Sequence, residues 1–311
     1  MIHTKPKITV VGSSNTDMIM KIARLPKPGE TVLGGRFTMA AGGKGANQAV
    51  AAARAGGQVT FVARVGGDLF GKQAMEGFLH DEIQTRFVLT DPNAPSGIAL
   101  IFVDESGENS IAVASGANAE LSWADIAHAR EAITSAQVLL LQLEVPTAAV
   151  AAAIDFASQA GVPVILNPAP AQHLEESLLR RVPIITPNET EAELLTGIRI
   201  VDDASLAKAA RRLLATGVDT VIVTLGPRGA FIAQEEREQL IPSFQVDAVD
   251  TTAAGDVFNG ALAVSLSEGK DLPVAVRFAN AAAALSVTKL GAQPSAPSRN
   301  QIDAFLSRHS S

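Results

Sequence analysis

Short apolar runs rich in β-branched residues alternate along this chain with longer runs rich in alanine and leucine. Ile8–Gly12, Gln137–Leu143, Val162–Leu166, Val182–Thr186 and Thr220–Leu225 are short and apolar on both faces, so they read as buried strands. Gly45–Ala55, Leu69–Asp81, Ala148–Ala160, Asn188–Leu195, Ala204–Ala215, Ala254–Ser267 and Leu272–Thr288 read as helices. Repeated strand-then-helix order constrains the chain to an α/β fold: a doubly wound, mostly parallel sheet with helices on both faces. The 311 residues suit a single domain over 1–311 with a small appendage, and 47% apolar residues are ample for its core.

Two regions break the rhythm. Asp17–Met39 holds Met18, Ile19, Met20 and Ile22 before the turn Pro26-Lys27-Pro28-Gly29. Gly97–Ala114 holds Ile98–Val103, the turn Asp104–Glu108 and Ile111–Val113. Both read as antiparallel strand pairs. Beside a parallel sheet they suggest a small β lid formed by about residues 16–40 and 96–115; the alternative is extra edge strands on the main sheet. Gly291–Ser298, with Pro294 and Pro297, reads as a loop before a last helix near Ile302–Arg308.

Several classes are excluded. The net charge is −7 with no basic cluster, which makes nucleic acid and anionic membrane poor partners. There is no cysteine, so disulfides, thiolate catalysis and Cys-ligated zinc are out, and the chain fits a reducing cytoplasm. Met1–Lys7 leads into a strand with no signal-peptide pattern. The longest apolar run, Val138–Ala153, is broken by Gln142, Glu144 and Pro146 and is too short to span a bilayer. His3, His80, His128, His173 and His309 form no paired-ligand pattern and read as surface or structural. The first strand ends Gly12-Ser13-Ser14-Asn15, which is not the dinucleotide fingerprint, and no G-x-S-x-G elbow occurs.

In doubly wound sheets ligands sit beyond the carboxyl ends of the strands, so polar residues there carry the search. Asp250-Thr251-Thr252-Ala253-Ala254-Gly255-Asp256 opens a helix. Its small residues permit close approach, its unpaired N–H groups suit a phosphate, and Asp256 in the first turn is placed to take a proton from a hydroxyl. Taken alone, Asp256 reads first as an acidic residue complementing the helix dipole. The company it keeps reverses that order. Ala41-Gly42-Gly43-Lys44-Gly45-Ala46-Asn47-Gln48 puts three glycines in four residues at a helix start. It is no Walker A loop; it reads equally as a polyol cradle and as a tight turn with a cap. Asn15 and Asp17 follow the first strand and Glu144 follows another. Each alone reads as a turn or cap residue. Together they form an acidic pocket for sugar hydroxyls, which disfavours a phosphorylated substrate and which Lys44 partly offsets. Thr224-Leu225-Gly226-Pro227-Arg228-Gly229 reads as a nucleotide cradle or as an ordinary hairpin turn before Ala230–Ala233. In Pro187-Asn188-Glu189-Thr190-Glu191, Asn188 and Glu191 make a capping box that can still lie near phosphates and Mg²⁺.

These segments identify a resemblance. The chain resembles the PfkB family of carbohydrate kinases, and within it the ribokinases, from about Thr9 to about Leu306. Gly42–Asn47 and Asp250–Asp256 are the two signatures; Asn167-Pro168-Ala169-Pro170, Thr186–Glu191 and Gly291-Ala292-Gln293-Pro294-Ser295 look similar too. The resemblance implies transfer of the ATP γ-phosphate to the 5-hydroxyl of ribose. Asp256 would be the base, and Ala253, Ala254, Gly255 and Asp256 would form the anion hole. Asn15, Asp17, Gly43, Lys44, Asn47 and Glu144 would bind the sugar. Asn188, Thr224, Gly226, Arg228, Gly229, Gly255 and Asn280 would line the ATP site, with Glu191 near Mg²⁺. A monovalent cation, usually K⁺, would involve Asp250, Thr252, Ser286, Lys289, Gly291 and Ser295, partly through carbonyls. The resemblance also implies a homodimer formed through the lid. One departure stands out: the commoner signature has Gly where this chain has Ala253, although Ala is familiar there too.

Rival readings remain. A nucleoside kinase favours aromatic residues near the sugar, and only Phe37 and Phe258 come close to the acceptor motifs. A fructose or sugar-phosphate kinase is the other enzymatic alternative, and a phosphorylated substrate asks for more cations than Lys44. A non-catalytic sugar sensor has no need of Asp256.

Overall fold

In the computed structural model, which describes residues 5–106 and 108–309, the chain opens on β1 (Lys7–Val11). It leaves for an antiparallel pair, β2 (Asn15–Lys21) and β3 (Arg36–Gly42), and enters α1 (Lys44–Arg54). Then come β4 (Gln58–Gly66), α2 (Leu69–His80), β5 (Gln84–Asp91) and a second antiparallel pair, β6 (Gly97–Val103) and β7 (Asn109–Ala114). The short helices α3 (Trp123–His128) and α4 (Arg130–Thr134) lead to β8 (Val138–Leu141), α5 (Thr147–Ala160) and β9 (Val164–Leu166). α6 (Glu176–Leu179), β10 (Ile184–Ile185), α7 (Glu189–Thr196) and α8 (Asp203–Leu214) follow. After β11 (Thr220–Thr224), β12 (Ala230–Gln234) and β13 (Arg237–Ile241), the chain closes with α9 (Ala254–Ser267), α10 (Leu272–Ser286) and α11 (Arg299–Arg308). His3, and Gly107 in the turn expected at Asp104–Glu108, lie outside the described residues.

The main sheet runs β13-β12-β11-β10-β9-β8-β1-β4-β5. From β11 to β5 every neighbour is parallel, and β12 and β13 add an antiparallel edge. β8 shows why its residues form a central strand. Val138 and Leu140 bury into the layer built by α1, α9 and α10, while Leu139 and Leu141 bury into the layer of α3, α5 and α8. An apolar run with period two and two covered faces satisfies both layers at once. The chain moves from β1 to β4 on one side and later to β8 on the other, so the order reverses at β1. The crevice beyond that reversal is where this architecture holds ligands.

Three differences from the sequence reading have local causes. β4 escaped notice because Arg64 interrupts its apolar pattern. Arg64 is neutralised by Asp125 at 3.0 Å and by Asp91, partners that no local window contains. The strand expected over Val182–Thr186 shrinks to Ile184–Ile185 because Pro183 and Pro187, which lack N–H donors, bound it. The Gly291–Ser298 loop contains one 3₁₀ turn, Gln293–Ser295.

The two β excursions do not extend the main sheet. They form a separate four-stranded sheet, β3-β2-β6-β7, joined by parallel pairing of β2 with β6 from Asn15↔Gly97 to Lys21↔Val103. Cross-strand partners share a face, so Met18, Met39 and Leu100 lie on one side and Asp17, Ala99 and Val113 on the other. Among the described residues, no helix is long and apolar enough to cross a membrane.

Candidate active site

The exits of β1 and β8 and the start of α1 converge at the reversal point. Ser13 Oγ donates to Glu144 Oε2 at 2.5 Å, and the same oxygen accepts the Lys44 N–H at 3.0 Å. Glu144 thus satisfies an orphan donor of α1 while holding a carboxylate in the crevice. Gly43 precedes the helix at φ 88°, and a Cβ there would stand 2.6 Å from the Asn15 nitrogen. Only glycine lets α1 begin this close to the strand exit. Asn15 is buried, and its Oδ1 accepts from Asn118 Nδ2 at 2.7 Å, which leaves its own amide donor for a ligand.

The charges here are mutually dependent. Burial, then the charges of Glu144 and Asp256, raise the Asp17 pKa to about 6, against the pull of Lys44. Burial works against the Lys44 ammonium, but Asp256, Glu144, Glu191 and Asp17 outweigh it and raise its pKa. One ammonium therefore sits among four carboxylates. That field suits a neutral polyol and tolerates a passing phosphoryl group at Lys44.

Asp256 lies in the first turn of α9, buried at 6% exposure. Asn47 Nδ2 donates to its Oδ2 at 3.0 Å and Gln48 Nε2 to its Oδ1 at 3.0 Å. Burial raises its pKa, while Lys44, Asn47 and Gln48 pull it back toward the ionised form. Asn47 Oδ1 is buried without a partner among the described residues. A buried orphan acceptor beside a carboxylate is where a ligand hydroxyl completes the bonding. Ala253 caps the helix in the left-handed region at φ 59° and ψ 15°. Ala254 N–H turns back to Thr251 O at 3.2 Å, and the helical ladder starts with Val257 N–H to Ala253 O at 2.9 Å. Between them, the N–H groups of Gly255 and Asp256 have no partner among the described residues, as an anion site requires.

On the far side of this turn lies a cleft of about 350 Å³. Thr224, Gly226, Gly229, Gly255 and Asn280 line it, as expected of a nucleotide site. Phe244 and Val246 form an apolar wall that sequence reading missed, because the 242–248 segment has no periodicity and reaches the cleft only through folding. Asn280 Nδ2 donates to Ile241 O at 3.0 Å and to Pro242 O at 3.3 Å, which fastens that segment to α10. Asn188 pairs with Thr224 as an isolated parallel bridge at the cleft rim. Arg228 is not among the lining residues; its guanidinium pairs with Asp203 on α8.

The remaining predicted residues fall in two places. Asn188 and Glu191 form the expected capping box, with both bonds at 2.8 Å. Burial raises the Glu191 pKa. Asp250 joins two loops: its Oδ1 accepts from Thr252 N–H at 2.9 Å and Thr252 Oγ1 at 2.6 Å, and its Oδ2 accepts from Gly291 N–H at 2.8 Å. Ser286 Oγ and Ser295 Oγ donate to the local carbonyls of Ala283 and Ala292. Lys289 is exposed and lines a separate surface groove with Leu285 and Arg308.

A family model described as pfkB family carbohydrate kinase matches residues 5–299. The chain belongs to this family. A ribokinase of Haemophilus influenzae is 46% identical over 299 residues, covering 96% of this chain and 98% of its own. A deoxyribokinase of Salmonella typhi is 40% identical over 301 residues, covering 96% and 98%. The structure of an Arabidopsis thaliana ribokinase complexed with ribose and ATP matches with a TM-score of 0.91 at 35% identity, covering 97% of this chain and 99% of its own. Behind the two PfkB signature segments the structure adds buried amides to which no role was assigned: Asn118, Gln142 and Asn167, the last from the Asn167–Pro170 segment. Their burial was invisible because Asn and Gln are usually surface residues.

Proposed function

We propose that this protein transfers the γ-phosphate of ATP to the 5-hydroxyl of D-ribose, giving ribose 5-phosphate and ADP. One observation carries the reading: Asp256 stands at the junction of an acidic polyol pocket and an apolar cleft, beside free N–H groups at a helix start. Asp256 accepts the hydroxyl proton as the sugar oxygen attacks phosphorus and the bond to the β-phosphate oxygen breaks. Such base catalysis is worth roughly 10²–10⁴ in rate. The free N–H groups of Gly255 and Asp256, with that of Ala253 before them and the ammonium of Lys44, would meet the charge that spreads over the transferring group, while the Ala254 N–H is spent on Thr251 O. Asn15, Asp17, Gly43, Asn47 and Glu144 hold the sugar, and residues of the 350 Å³ cleft hold ATP.

Mg²⁺ would travel with the ATP phosphates. Glu191 would lie near it, since this ion commonly takes one or two carboxylates beside substrate phosphates. Mg²⁺ would supply charge neutralisation between the phosphates. A K⁺ ion would sit where Asp250 draws the Thr252 and Gly291 segments together, held partly by backbone carbonyls. We read residues 1–311 as one domain, with the small sheet, residues 16–40 and 96–115, as a lid that excludes water. Its outward face carries exposed Phe37 and Met39, fitting a homodimer through the lids. The protein would work in the cytoplasm, where ATP and free sugar meet. A second reading, 2-deoxyribose as acceptor, is favoured by the deoxyribokinase relative.

A coupled ADP-release assay with MgATP and K⁺ tests the proposal on ribose, 2-deoxyribose, fructose, adenosine and fructose 6-phosphate. The expected result is ribose-dependent turnover that falls when a large inert cation replaces K⁺. Turnover only with another acceptor overturns the substrate. Ribose binding without any turnover makes the protein a sensor. Asp256→Asn abolishes turnover and spares sugar binding; near-normal kcat in that variant overturns the assignment of the base.

A further inference from the structure

Beneath Asp256 runs a chain of buried side-chain amides whose orientations fix one another. Asn167 Nδ2 donates to Thr186 O at 3.1 Å, so its Oδ1 must face Gln48. Gln48, with 0% exposure, donates one Nε2 hydrogen to that Oδ1 and the other to Asp256 Oδ1, both at 3.0 Å. Its own Oε1 accepts from Gln142 Nε2. Every donor of Gln48 is thereby committed, and the donors point along Gln142, Gln48 and Asp256 in turn. The arrangement is costly. Gln142 Oε1 ends without a partner among the described residues, wedged against Gly12. An orphan acceptor of this kind carries a desolvation cost that an apolar core would avoid.

We infer that Gln48 is a positioning residue for the base, holding one oxygen of the Asp256 carboxylate while its neighbour Asn47 holds the other, and that Gln142 acts through it. The inference rests on Asp256 being the base. Both donors favour the carboxylate over the acid, and donor chains in a low-dielectric interior strengthen each other. Four other charged groups act on Asp256: Lys44 from α1, Asp17 from β2, Glu144 after β8 and Glu191 from α7. These stay in place when Gln48 is changed. Loss of the Gln48 donor raises the Asp256 pKa further, so the base stays protonated to higher pH.

The test is the pH profile of kcat for Gln48→Leu and Gln142→Leu, with wild-type and Asp256→Asn enzyme alongside. In Gln48→Leu the acidic limb moves up by about one unit, so kcat measured on that limb falls by up to about tenfold, with the sugar KM within about threefold. Gln142→Leu removes one orphan acceptor and leaves Gln48 Oε1 without its donor in exchange, so the number of unsatisfied buried groups is unchanged, and it moves the limb the same way by less. It therefore keeps the test alive should Gln48→Leu fail to fold. A uniform loss of kcat with the limb unmoved in the folded variants makes the amide chain merely structural and overturns the inference. Turnover by Asp256→Asn is a different failure, that of the base itself.

Discussion

The Asp17 carboxylate lies against the Cα of Gly42, so closely that a Cβ on residue 42 would stand 2.3 Å from both its oxygens. A side chain at 42 must push the carboxylate out of the crevice. Gly42→Ala is expected to raise the ribose KM at least tenfold while leaving kcat within a few-fold, since Asp256 and the N–H groups of α9 are untouched. Steady-state kinetics at saturating ATP checks it. An equal fall in kcat would show that the change spreads to the base.

Asp17 also links pH to binding and stability. Its folded pKa of about 6 stands above the ordinary aspartate value of 3.8, and it accepts no hydrogen bond among the described residues. The folded state therefore binds a proton more tightly than the unfolded state. Stability is greatest below pH 4 for this group and is lost as pH rises through 6, a penalty of about 3 kcal/mol at pH 8. Asp17→Asn should raise Tm by a few degrees at pH 8 and by nothing near pH 4, while weakening ribose binding. Wild-type sugar affinity should fall as pH drops through about 6. A flat Tm difference across that window would show that burial is not what raises this group.

Much of this was legible in the sequence. The strand–helix rhythm gave the parallel sheet, and the glycines at 42–45 and the segment Asp250–Asp256 marked two helix starts because such starts need small residues and open N–H groups. The capping box of Asn188 and Glu191 was visible for the same local reason. What stayed hidden depends on distance in sequence. Arg64 looked like a break in a strand because its partner Asp125 is 61 residues away. Gln48 carried no role of its own in the sequence because its partners come from just beyond β8, from the segment after β9, and from α9. The turn of Arg228 read as a nucleotide cradle or as an ordinary hairpin turn, and the guanidinium's pairing with Asp203 on α8 was outside any local window.

Ala253 occupies the left-handed region at φ 59°, where a Cβ costs about 1–2 kcal/mol and glycine costs nothing. Glycine also loosens the unfolded chain by about 0.4–1 kcal/mol. Ala253→Gly is therefore expected to leave stability equal or up to about 1 kcal/mol higher, with kcat within about threefold. Ala253→Val adds a β-branched side chain where that backbone rejects one. It should distort the turn that presents the Gly255 and Asp256 N–H groups and lower kcat at least tenfold. Thermal unfolding and turnover of the pair check this. Equal kinetics for both would show that residue 253 does not set the anion site.

Asp250 offers the sharpest handle on the cation. Burial works against its carboxylate, but the bonds from Thr252 Oγ1, the Gly291 N–H and the Thr252 N–H prevail and hold its pKa below the ordinary value. Its contribution to stability is therefore present above about pH 4 and is lost as pH falls through the folded pKa. The same three bonds set the spacing of the two segments whose carbonyls would hold K⁺. Asp250→Ala releases both. It should raise the K⁺ concentration for half-maximal activity at least tenfold, and K⁺ is expected to raise the Tm of the wild-type protein without substrates but not that of the variant, a readout independent of turnover. If K⁺ still raises the Tm of the variant at the same concentration, the ion is held elsewhere and Asp250 serves only to shape the start of α9.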